Sequence, residues 1–247
     1  MRYFVLFAYN GSDFHGSQAQ PNGITVQAVM ENALQTIVRM PLSLTFAGRT
    51  DAGVHAEQMW AHFDMEQPLC TDLILRLNSL LPASIAIREL LPVVDDAHAR
   101  FSAISRTYEY RITEQKNPFL CTLTTRVAPG LNYEQMNEAA KLLLGKHDFA
   151  SFCKVHTDVK TTFCSISHAE WSKRNDVYIF TIQADRFLRN MVRAIVGTLF
   201  DVGRGKVNLT QMQYILNSHN RCAAGQSAPA EGLYLTHIEY PKTIFLS

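Results

Sequence analysis

The chain has 247 residues, of which 47% are hydrophobic and 18% are charged. This length predicts one large domain or two small ones, and this composition excludes a disordered tail, a collagen-like fibre and a low-complexity linker. Lysine and arginine number 23 and aspartate and glutamate number 22, so the formal net charge is only +1. A globally basic nucleic-acid coat is therefore excluded, and any nucleic acid must bind to a local basic patch.

The cysteines and the apolar runs predict a cytoplasmic protein. Five cysteines at irregular spacing, without a Cys-x-x-Cys pair, are typical of reduced thiols. No apolar run approaches the roughly 18 residues that a membrane span needs. The run from Tyr3 to Tyr9 is a poor secretion signal, because only Arg2 precedes it and no convincing cleavage site follows. We therefore expect no membrane partner.

In the first half of the chain the predicted elements follow the order β-α-β-β-α-β. Aromatic and β-branched residues at 2–9 predict a buried strand, and an apolar face with helical spacing predicts a helix from about Thr25, its N-cap, to Val38. The remaining elements are a strand at 42–47, a strand at 58–65, a helix at 72–81 capped by Thr71 and a strand at 84–94. Along the strand at 58–65, alternate residues point to two different faces; Met59, Ala61 and Phe63 alternate with Trp60, His62 and Asp64.

The second half repeats this order of elements without a repeat of residues. Its predicted elements are a strand at 105–113, a helix at 133–144 closed by Gly145, strands at 163–172 and 177–185 joined by a hairpin turn, helices at 187–200 and 210–218, and a strand at 233–240. The boundary is expected near Asp95-Asp96, which gives an N-terminal half at 1–95 and a C-terminal half at 96–247. The predicted fold class is α+β: two ferredoxin-like halves joined around a central, mainly antiparallel sheet, with a cleft between them.

The segment GRTDAGVHA (48–56) is the most unusual of the chain. Two glycines bracket Arg49 and Asp51 between two predicted strands, and glycine permits close approach of a ligand to the backbone. Asp51 is a candidate covalent nucleophile, and Arg49 can hold a phosphate or a carboxylate in a bidentate fork. Composition alone favours a plainer interpretation, a solvated hairpin loop with a local ion pair, because glycine and aspartate are common turn residues.

A basic patch is predicted between residues 186 and 206. It holds one acidic residue, Asp201, and five basic ones, which are Arg186, Arg189, Arg193, Arg204 and Lys206. The predicted helix at 187–200 buries an apolar stripe and carries Arg189 and Arg193, four residues apart, on its other side. The patch is the best candidate for contact with phosphates, although a solvated helix face fits the same charges.

Tyr108 and Tyr110 share one face of the strand predicted at 105–113. Aromatic rings on a sheet face can stack on bases, and they also pack in protein cores. For any single tyrosine, core packing is the commoner use.

No metal or cofactor site is predicted. Cys153 and His156, followed by Cys164 and His168, are zinc-ligand types, but only seven residues separate the two pairs, fewer than in zinc fingers. The sequence also lacks the glycine-rich nucleotide loops, the His-Glu-x-x-His motif and the serine-hydrolase elbow. Nucleotide hydrolysis, hydride transfer and serine chemistry therefore have no support.

Nearly the whole chain resembles the bacterial tRNA pseudouridine synthase A family. The most specific segments are GRTDAGVHA and FLRNMVRAIVGTLFDVGRGK (187–206). Four other segments match in the expected order: YNGSDFHGSQAQPNGITVQAVMENAL (9–34), RTYEYRI (106–112), GKHDFASFC (145–153) and APAEGLYL (228–235). This resemblance favours a functional interpretation of both the aspartate loop and the arginine-bearing segment.

The resemblance implies isomerisation of uridine to pseudouridine at positions 38, 39 and 40 of the tRNA anticodon stem-loop. The N1–C1′ bond breaks, the uracil turns and C5 bonds to C1′. Since no atom is gained and no redox change occurs, no cofactor is implied. The family acts as a homodimer with tRNA touching both protomers, an arrangement that would combine two basic patches.

The resemblance also implies a role for each matching residue. Asp51 matches the catalytic aspartate, which attacks C1′ or abstracts a sugar proton, and Arg49 matches the residue that helps to displace the target base from its stack. Tyr108 would stack on the extruded uracil, and its hydroxyl or a nearby base would assist loss of the C5 proton. Arg189 would pair with Asp51 across the cleft and keep the carboxylate ionised. Leu233 would line the pocket.

The chain departs from the family pattern at three places. Ser17 stands where Trp is usual, Arg106 stands where Lys is common, and 221–227 is only loosely similar. The difference at Ser17 is expected to alter the contacts of its loop with RNA.

Two other functions stay open at this point. One is an RNA-binding module that helps tRNA to fold without chemistry, for which two sheet-bearing halves and a basic helix suffice. The other is a glycoside hydrolase, in which Asp64 or Glu57 would be a partner acid within about 10 Å of the first carboxylate. The order of elements and the basic patch give no reason for a sugar cleft.

Overall fold

The computed structural model describes residues 1–66, 68–154 and 160–246. The chain forms two compact units, one made of Met1–Ile104 with Leu235–Ser247 and the other of Ser105–Tyr234. The first unit thus continues beyond Asp95-Asp96 and also takes in the last segment of the chain. The backbone N–H of Ile104 donates to the Glu239 carbonyl (2.8 Å), which ties both segments together. Among the described residues, no helix combines the length and the apolarity that a membrane crossing requires.

The described residues form ten strands and five α-helices. The first unit contains strands β1 (Arg2–Tyr9), β2 (Thr45–Phe46), β3 (His55–Asp64) and β4 (Ile85–Val93), and helices α1 (Val26–Val38) and α2 (Leu73–Leu80). The second unit contains strands β5 (Ser105–Thr113), β6 (Thr125–Arg126), β7 (Gly145–Asp148), β8 (Phe163–Arg174) and β9 (Val177–Ala184), and helices α3 (Tyr133–Lys141), α4 (Met191–Gly203) and α5 (Leu209–Asn217). Strand β10 (Leu233–Glu239) begins in the second unit and ends in the first.

The strands pair almost entirely in antiparallel fashion. In the first unit β1 lies between β4 and β3, and β2 pairs with β3. In the second unit the order is β5, β9, β8, β7, and β6 adds a short parallel pairing to β5. The prediction of a mixed α and β protein with largely antiparallel pairing is therefore confirmed.

Strand β3 is buried on both of its faces. Its register places Trp60 beside Leu6 and His62 beside Phe4. The ring of Phe4 also contacts Tyr240, which makes an aromatic layer over this face. Trp60 and His62 are consequently only 6% and 7% exposed. Of the residues that the sequence assigns to this face, Trp60 and His62 are thus buried, and the rings of Tyr240 and Phe245 lie against Trp60, whereas Asp64 at the end of the strand is exposed.

Helix α4 differs from its prediction at its start and in its surroundings. It begins at Met191, not at 187, because Asn190 takes a left-handed conformation (φ 65°) that no α-helix contains. Arg189 therefore precedes the helix, and the prediction that Arg189 and Arg193 share a helix face is wrong. Apart from Arg193 and Asp201, every residue of α4 is buried. The helix thus has no solvated face, and it is packed on all sides.

Of the predicted ends of helices α1, α2 and α3, the N-cap of α1 is correct, whereas the start of α2 and the end of α3 are shifted. Thr25 caps α1 as predicted, since its side chain accepts a hydrogen bond from the Ala28 N–H. Helix α2 begins one residue later than predicted, after Asp72, so Thr71 is not its cap. Helix α3 ends at Lys141, and Gly145 (φ 95°) starts β7 after an intervening turn.

Candidate active site

In the first unit, the loop between β2 and β3 presents Arg49 and Asp51. The Arg49 side chain is exposed and Asp51 is half-buried. The backbone N–H of Val54 donates to the Asp51 carbonyl (3.2 Å) and closes a tight turn over 51–54, which begins at Asp51. A carboxylate and a guanidinium two residues apart therefore lie on a short, constrained loop at the surface of their unit.

A second loop, between β1 and α1, holds this turn by its backbone. The N–H of Thr50 donates to Oγ of Ser17 (2.8 Å), and the N–H of Ser17 donates to the Thr50 carbonyl (3.2 Å). The hydroxyls of Tyr9 and Thr50 form a further hydrogen bond (2.8 Å). Gly16 has a φ of +93°, and a Cβ there would lie 2.8 Å from the Thr50 carbonyl oxygen. Only glycine therefore permits this approach.

Two more contacts join the same loops at residues that follow Asp51. The N–H of Gly53 donates to the Phe14 carbonyl (3.4 Å), and the N–H of Gly11 donates to Nδ1 of His55 (3.0 Å). Backbone groups paired in this way do not have to reorganise when a ligand binds. The arrangement suits a carboxylate that must be presented in one direction.

In the second unit Tyr108 and Tyr110 have different environments, although they share a face of β5. Tyr110 is fully buried, and its hydroxyl donates to the Pro229 carbonyl (2.8 Å) and contacts Thr125 Oγ1 (2.7 Å). Tyr108 is half-buried and makes an edge-on contact with Phe187, with ring centroids 5.1 Å apart. Of the two, Tyr108 is therefore the ring accessible to a base.

Arg189 occupies a turn immediately before α4. Its side chain is exposed, and its carbonyl accepts a hydrogen bond from the N–H of Lys154 (3.1 Å). The N–H of Met191 donates to the Leu188 carbonyl (3.1 Å), which closes the turn. The left-handed Asn190 redirects the chain into the helix, so that Arg189 projects from a bend rather than from a helix face.

The remaining basic residues of the predicted patch differ in their exposure and in their contacts. Arg204 and Lys206 are exposed, and their charged groups lie 3.7 and 3.9 Å from the carboxylate of Asp201. Arg186 is half-buried. Nε of Arg193 donates to the Ala228 carbonyl (2.7 Å), so this side chain also has a structural contact.

Sequence reasoning missed that the segment 221–230 packs tightly on α4. Oγ of Ser227 accepts hydrogen bonds from the side chains of Asn190 (2.6 Å) and Arg221 (2.9 Å). A Cβ on Gly197 would lie 1.7 Å from the carbonyl oxygen of Gln226, so the helix and the segment touch by their backbones. A glycine in the middle of an apolar helix is the signal in the sequence that indicates this contact.

Leu233 and the cysteine–histidine pairs complete the predicted residues. Leu233 is buried (6% exposed), and its N–H donates to the Ala230 carbonyl (2.9 Å). Cys153 and Cys164 are buried, and desolvation raises the pKa of Cys164 to about 12. His156 lies outside the described residues. Within the described ranges, no three acidic, histidine or cysteine side chains are grouped as a metal site.

Comparison with known proteins identifies the family. A family model described as tRNA pseudouridine synthase matches residues 139–241. The chain is 51% identical to the tRNA pseudouridine synthase A of Parabacteroides distasonis, over 99% of the chain and 98% of that protein. It is 52% identical to that of Porphyromonas gingivalis (99% of each) and 40% identical to that of Syntrophotalea carbinolica (96% and 95%). The chain belongs to the tRNA pseudouridine synthase A family.

Proposed function

We propose that this chain isomerises uridine to pseudouridine in tRNA, at positions 38, 39 and 40 of the anticodon stem-loop, with Asp51 as the catalytic residue. The observation that carries this assignment is the constrained loop of Arg49 and Asp51, in a chain that is 51% identical over almost its whole length to a tRNA pseudouridine synthase A. The carboxylate is half-buried, and the backbone around it is held by hydrogen bonds.

The reaction conserves every atom of the base. The N1–C1′ bond breaks, the uracil turns, C5 bonds to C1′, C5 loses its proton and N1 takes one up. Asp51 either attacks C1′ or abstracts a sugar proton, and both routes need an ionised carboxylate with a set direction. The hydrogen-bonded loop supplies that direction.

The other residues act on the base and on the RNA backbone. Arg49 helps to displace the target base, because an enzyme does not reach a stacked base inside RNA. Tyr108 stacks on the extruded uracil with its half-buried ring, and Leu233 lines the pocket. Arg189 is a further substrate-binding residue in this proposal. Phosphates are contacted by the remaining basic residues of 186–206: Arg186, Arg193, Arg204 and Lys206.

We also propose that each half of the chain is ferredoxin-like, divided near residues 95 and 96. In the first unit the support is the element order β1-α1-β2-β3-α2-β4 together with antiparallel pairing in the order β4-β1-β3-β2. In the second unit β5, β9 and β8 pair in the corresponding order, with α3 and α4 as the helices.

The chain acts in this proposal as a cytoplasmic homodimer. Its cysteines, all five of them described, are free thiols, as expected in a reducing compartment. A net charge of +1 gives a single chain little long-range attraction for RNA. Two protomers that share one tRNA would combine two basic patches, which strengthens phosphate binding.

The test is tritium release from a tRNA that carries 5-³H-uridine, with Asp51→Asn compared with wild type. The matched control is Asp176→Asn, which makes the same substitution at an exposed turn between β8 and β9. We expect release by wild type and by the control, no release by Asp51→Asn, and tRNA binding by all three. Product mapping should place pseudouridine at positions 38 to 40.

Each contrary result identifies a different function or a different residue. Binding of tRNA without tritium release by the wild type would indicate an RNA-binding module. Free uracil in the product would indicate a glycoside hydrolase. Appreciable release by Asp51→Asn would transfer the catalytic role to another group.

A further inference from the structure

We propose that Ser17 is a positioning residue for the isomerisation: its buried hydroxyl holds the backbone at Thr50 and thereby sets the direction of the neighbouring Asp51 carboxylate. The inference rests on the catalytic role proposed above for Asp51. Ser17 stands where the family usually has tryptophan. From the sequence, this difference is expected only to alter the contacts of its loop with RNA.

The burial of Ser17 argues against a direct contact of its side chain with RNA. Its relative exposure is 0%, although its loop neighbours Gln18, Ala19 and Gln20 are exposed. A hydroxyl without solvent access acts on groups inside its own unit. The expectation that Ser17 alters the RNA contacts of its loop is therefore replaced by an effect on protein geometry.

The hydrogen bonds of Ser17 constrain both peptide groups of Thr50. Oγ of Ser17 accepts from the Thr50 N–H (2.8 Å), while the Ser17 N–H donates to the Thr50 carbonyl (3.2 Å). That carbonyl belongs to the planar peptide that continues to the nitrogen of Asp51. Because the plane moves as one unit, holding its oxygen also orients the backbone that carries the Asp51 side chain.

The surrounding contacts make the hydroxyl of Ser17 specific rather than redundant. The Tyr9 hydroxyl bonds to the side chain of Thr50, not to its backbone N–H. Gly16 lets the two loops approach so closely that a Cβ would lie 2.8 Å from the Thr50 carbonyl oxygen. Loss of the Ser17 hydroxyl would leave the Thr50 N–H without this acceptor at a buried position, and the turn would relax.

The experiment compares Ser17→Ala, Ser17→Cys and Asp51→Asn with wild type. Ser17→Cys keeps nearly the same volume with a weaker acceptor, and it keeps the test open if Ser17→Ala does not fold. The control is Ser79→Ala, which removes a hydroxyl that donates to the Leu75 carbonyl on helix α2. The readouts are kcat and KM for tRNA, tRNA affinity, thermal unfolding and hydrogen exchange at the Thr50 amide.

We expect Ser17→Ala to lower kcat about tenfold to a hundredfold, the loss that a small misplacement of a reacting group produces. KM and tRNA affinity should stay within about twofold, Thr50 should exchange faster, and Ser17→Cys should lie between Ser17→Ala and wild type. Ser79→Ala should match wild type in kcat.

Two results would overturn the inference while leaving the proposed function intact. One is a wild-type kcat in folded Ser17→Ala when Asp51→Asn is inactive. The other is a change confined to KM and affinity, with unchanged exchange at Thr50, which would make Ser17 a residue of the RNA contact. Activity in Asp51→Asn would instead remove the proposed function of Asp51, and the inference with it.

Discussion

Arg193 and Ala228 are joined by two hydrogen bonds, and each residue donates one of them. Nε of Arg193 donates to the Ala228 carbonyl (2.7 Å), and the N–H of Ala228 donates to the Arg193 carbonyl (2.9 Å). The pair fastens the segment 221–230 to helix α4. A residue that the sequence assigns to phosphate contact thus also maintains the structure of its own unit, and the two roles are separable by experiment.

Substitution of Arg193 by alanine is expected to change both stability and RNA binding. The Ala228 carbonyl loses its charged donor, which should lower the free energy of unfolding by about 1 to 3 kcal/mol. Loss of one phosphate contact should make the salt dependence of tRNA binding shallower by about 0.7 to 0.9 in log–log slope. Denaturant unfolding and a salt titration of tRNA affinity measure the two effects.

The control for this experiment is Arg204→Ala. Arg204 is exposed and lies 3.7 Å from the carboxylate of Asp201, so its removal should change the salt slope and leave the free energy of unfolding within about 0.5 kcal/mol. An unchanged salt slope in Arg193→Ala would remove this residue from the phosphate patch. An unchanged stability would show that the contact with Ala228 contributes little.

Gly197→Ala should destabilise the protein even though alanine is the better helix former by about 1 kcal/mol. A Cβ there would lie 1.7 Å from the Gln226 carbonyl oxygen, so the backbone of 225–228 must move. That movement also disturbs the hydrogen bond from the Gly225 N–H to Thr198 Oγ1 (2.9 Å). We expect a loss of about 1 to 3 kcal/mol in the free energy of unfolding, measured in urea.

Gly48→Ala is the matched control for this substitution. Among the described residues, and apart from its two chain neighbours, no heavy atom lies within 4 Å of a Cβ built on Gly48, so the free energy of unfolding of Gly48→Ala should stay within about 0.5 kcal/mol of wild type. An equal free energy of unfolding in the two variants would show that the segment 221–230 can move away from an alanine at position 197 without loss of stability.

Two substitutions of Tyr108 separate its ring from its hydroxyl. Tyr108→Leu removes the stacking surface and should weaken tRNA binding by about 1 to 3 kcal/mol. Tyr108→Phe keeps the ring and its edge-on contact with Phe187, so binding should be unchanged. If the hydroxyl assists loss of the C5 proton, kcat of Tyr108→Phe should fall by about a hundredfold or more.

Tyr214→Phe is the control, because Tyr214 carries an exposed hydroxyl on helix α5. It should retain the wild-type kcat and affinity. A wild-type kcat in Tyr108→Phe would assign the proton transfer to another group, and wild-type binding by Tyr108→Leu would contradict the stacking role.

His62 should make the protein less stable in mild acid. Burial of its imidazole, assisted by the positive charge of Arg2, lowers its pKa to about 4, against about 6.5 in an unfolded chain. As the pH falls from about 6.5 to about 4, the unfolded state binds a proton that the folded state does not bind. Stability is therefore full above pH 6.5 and should decrease by about 3 kcal/mol over this interval.

The measurement is the free energy of unfolding between pH 7 and pH 4 for wild type and His62→Asn. Asparagine can still accept the hydrogen bond that the Ala99 N–H donates to Nδ1 of His62 (3.1 Å), and it does not titrate. His62→Asn should flatten the pH dependence, while His237→Asn, at an exposed position, should retain it. An identical acid loss in wild type and His62→Asn would contradict this assignment.

Local signals were sufficient where a single segment decides its own conformation. Strand β5 occupies 105–113, as predicted, because its β-branched and aromatic residues suit a pleated, half-buried strand. Helix α1 follows its apolar periodicity and begins after Thr25, whose side chain caps the first turn. Such features depend on neighbours within a few residues in the chain.

Helix α4 shows where local signals fail. Its apolar period extends back to Leu188, which is buried (5% exposed) although it lies in a turn. Periodicity reports burial and not backbone conformation, so the predicted helix started at 187. The left-handed Asn190, held by its side-chain bond to Ser227 from 37 residues away, decides the true start.

The sequence by itself determined the family, the order of the helices and of the longer strands, and the loop that carries Arg49 and Asp51, because these follow from residue types at short and regular spacing. It did not predict the short strands β6 and β7. Only the tertiary structure decided that Ser17 is buried against Thr50, that Tyr110 belongs to the core while Tyr108 is accessible, and that Arg193 binds Ala228. Each of these features joins residues 33 or more positions apart or depends on which part of a strand face is covered. Distances of that kind are set by packing, and spacing along the chain does not record them.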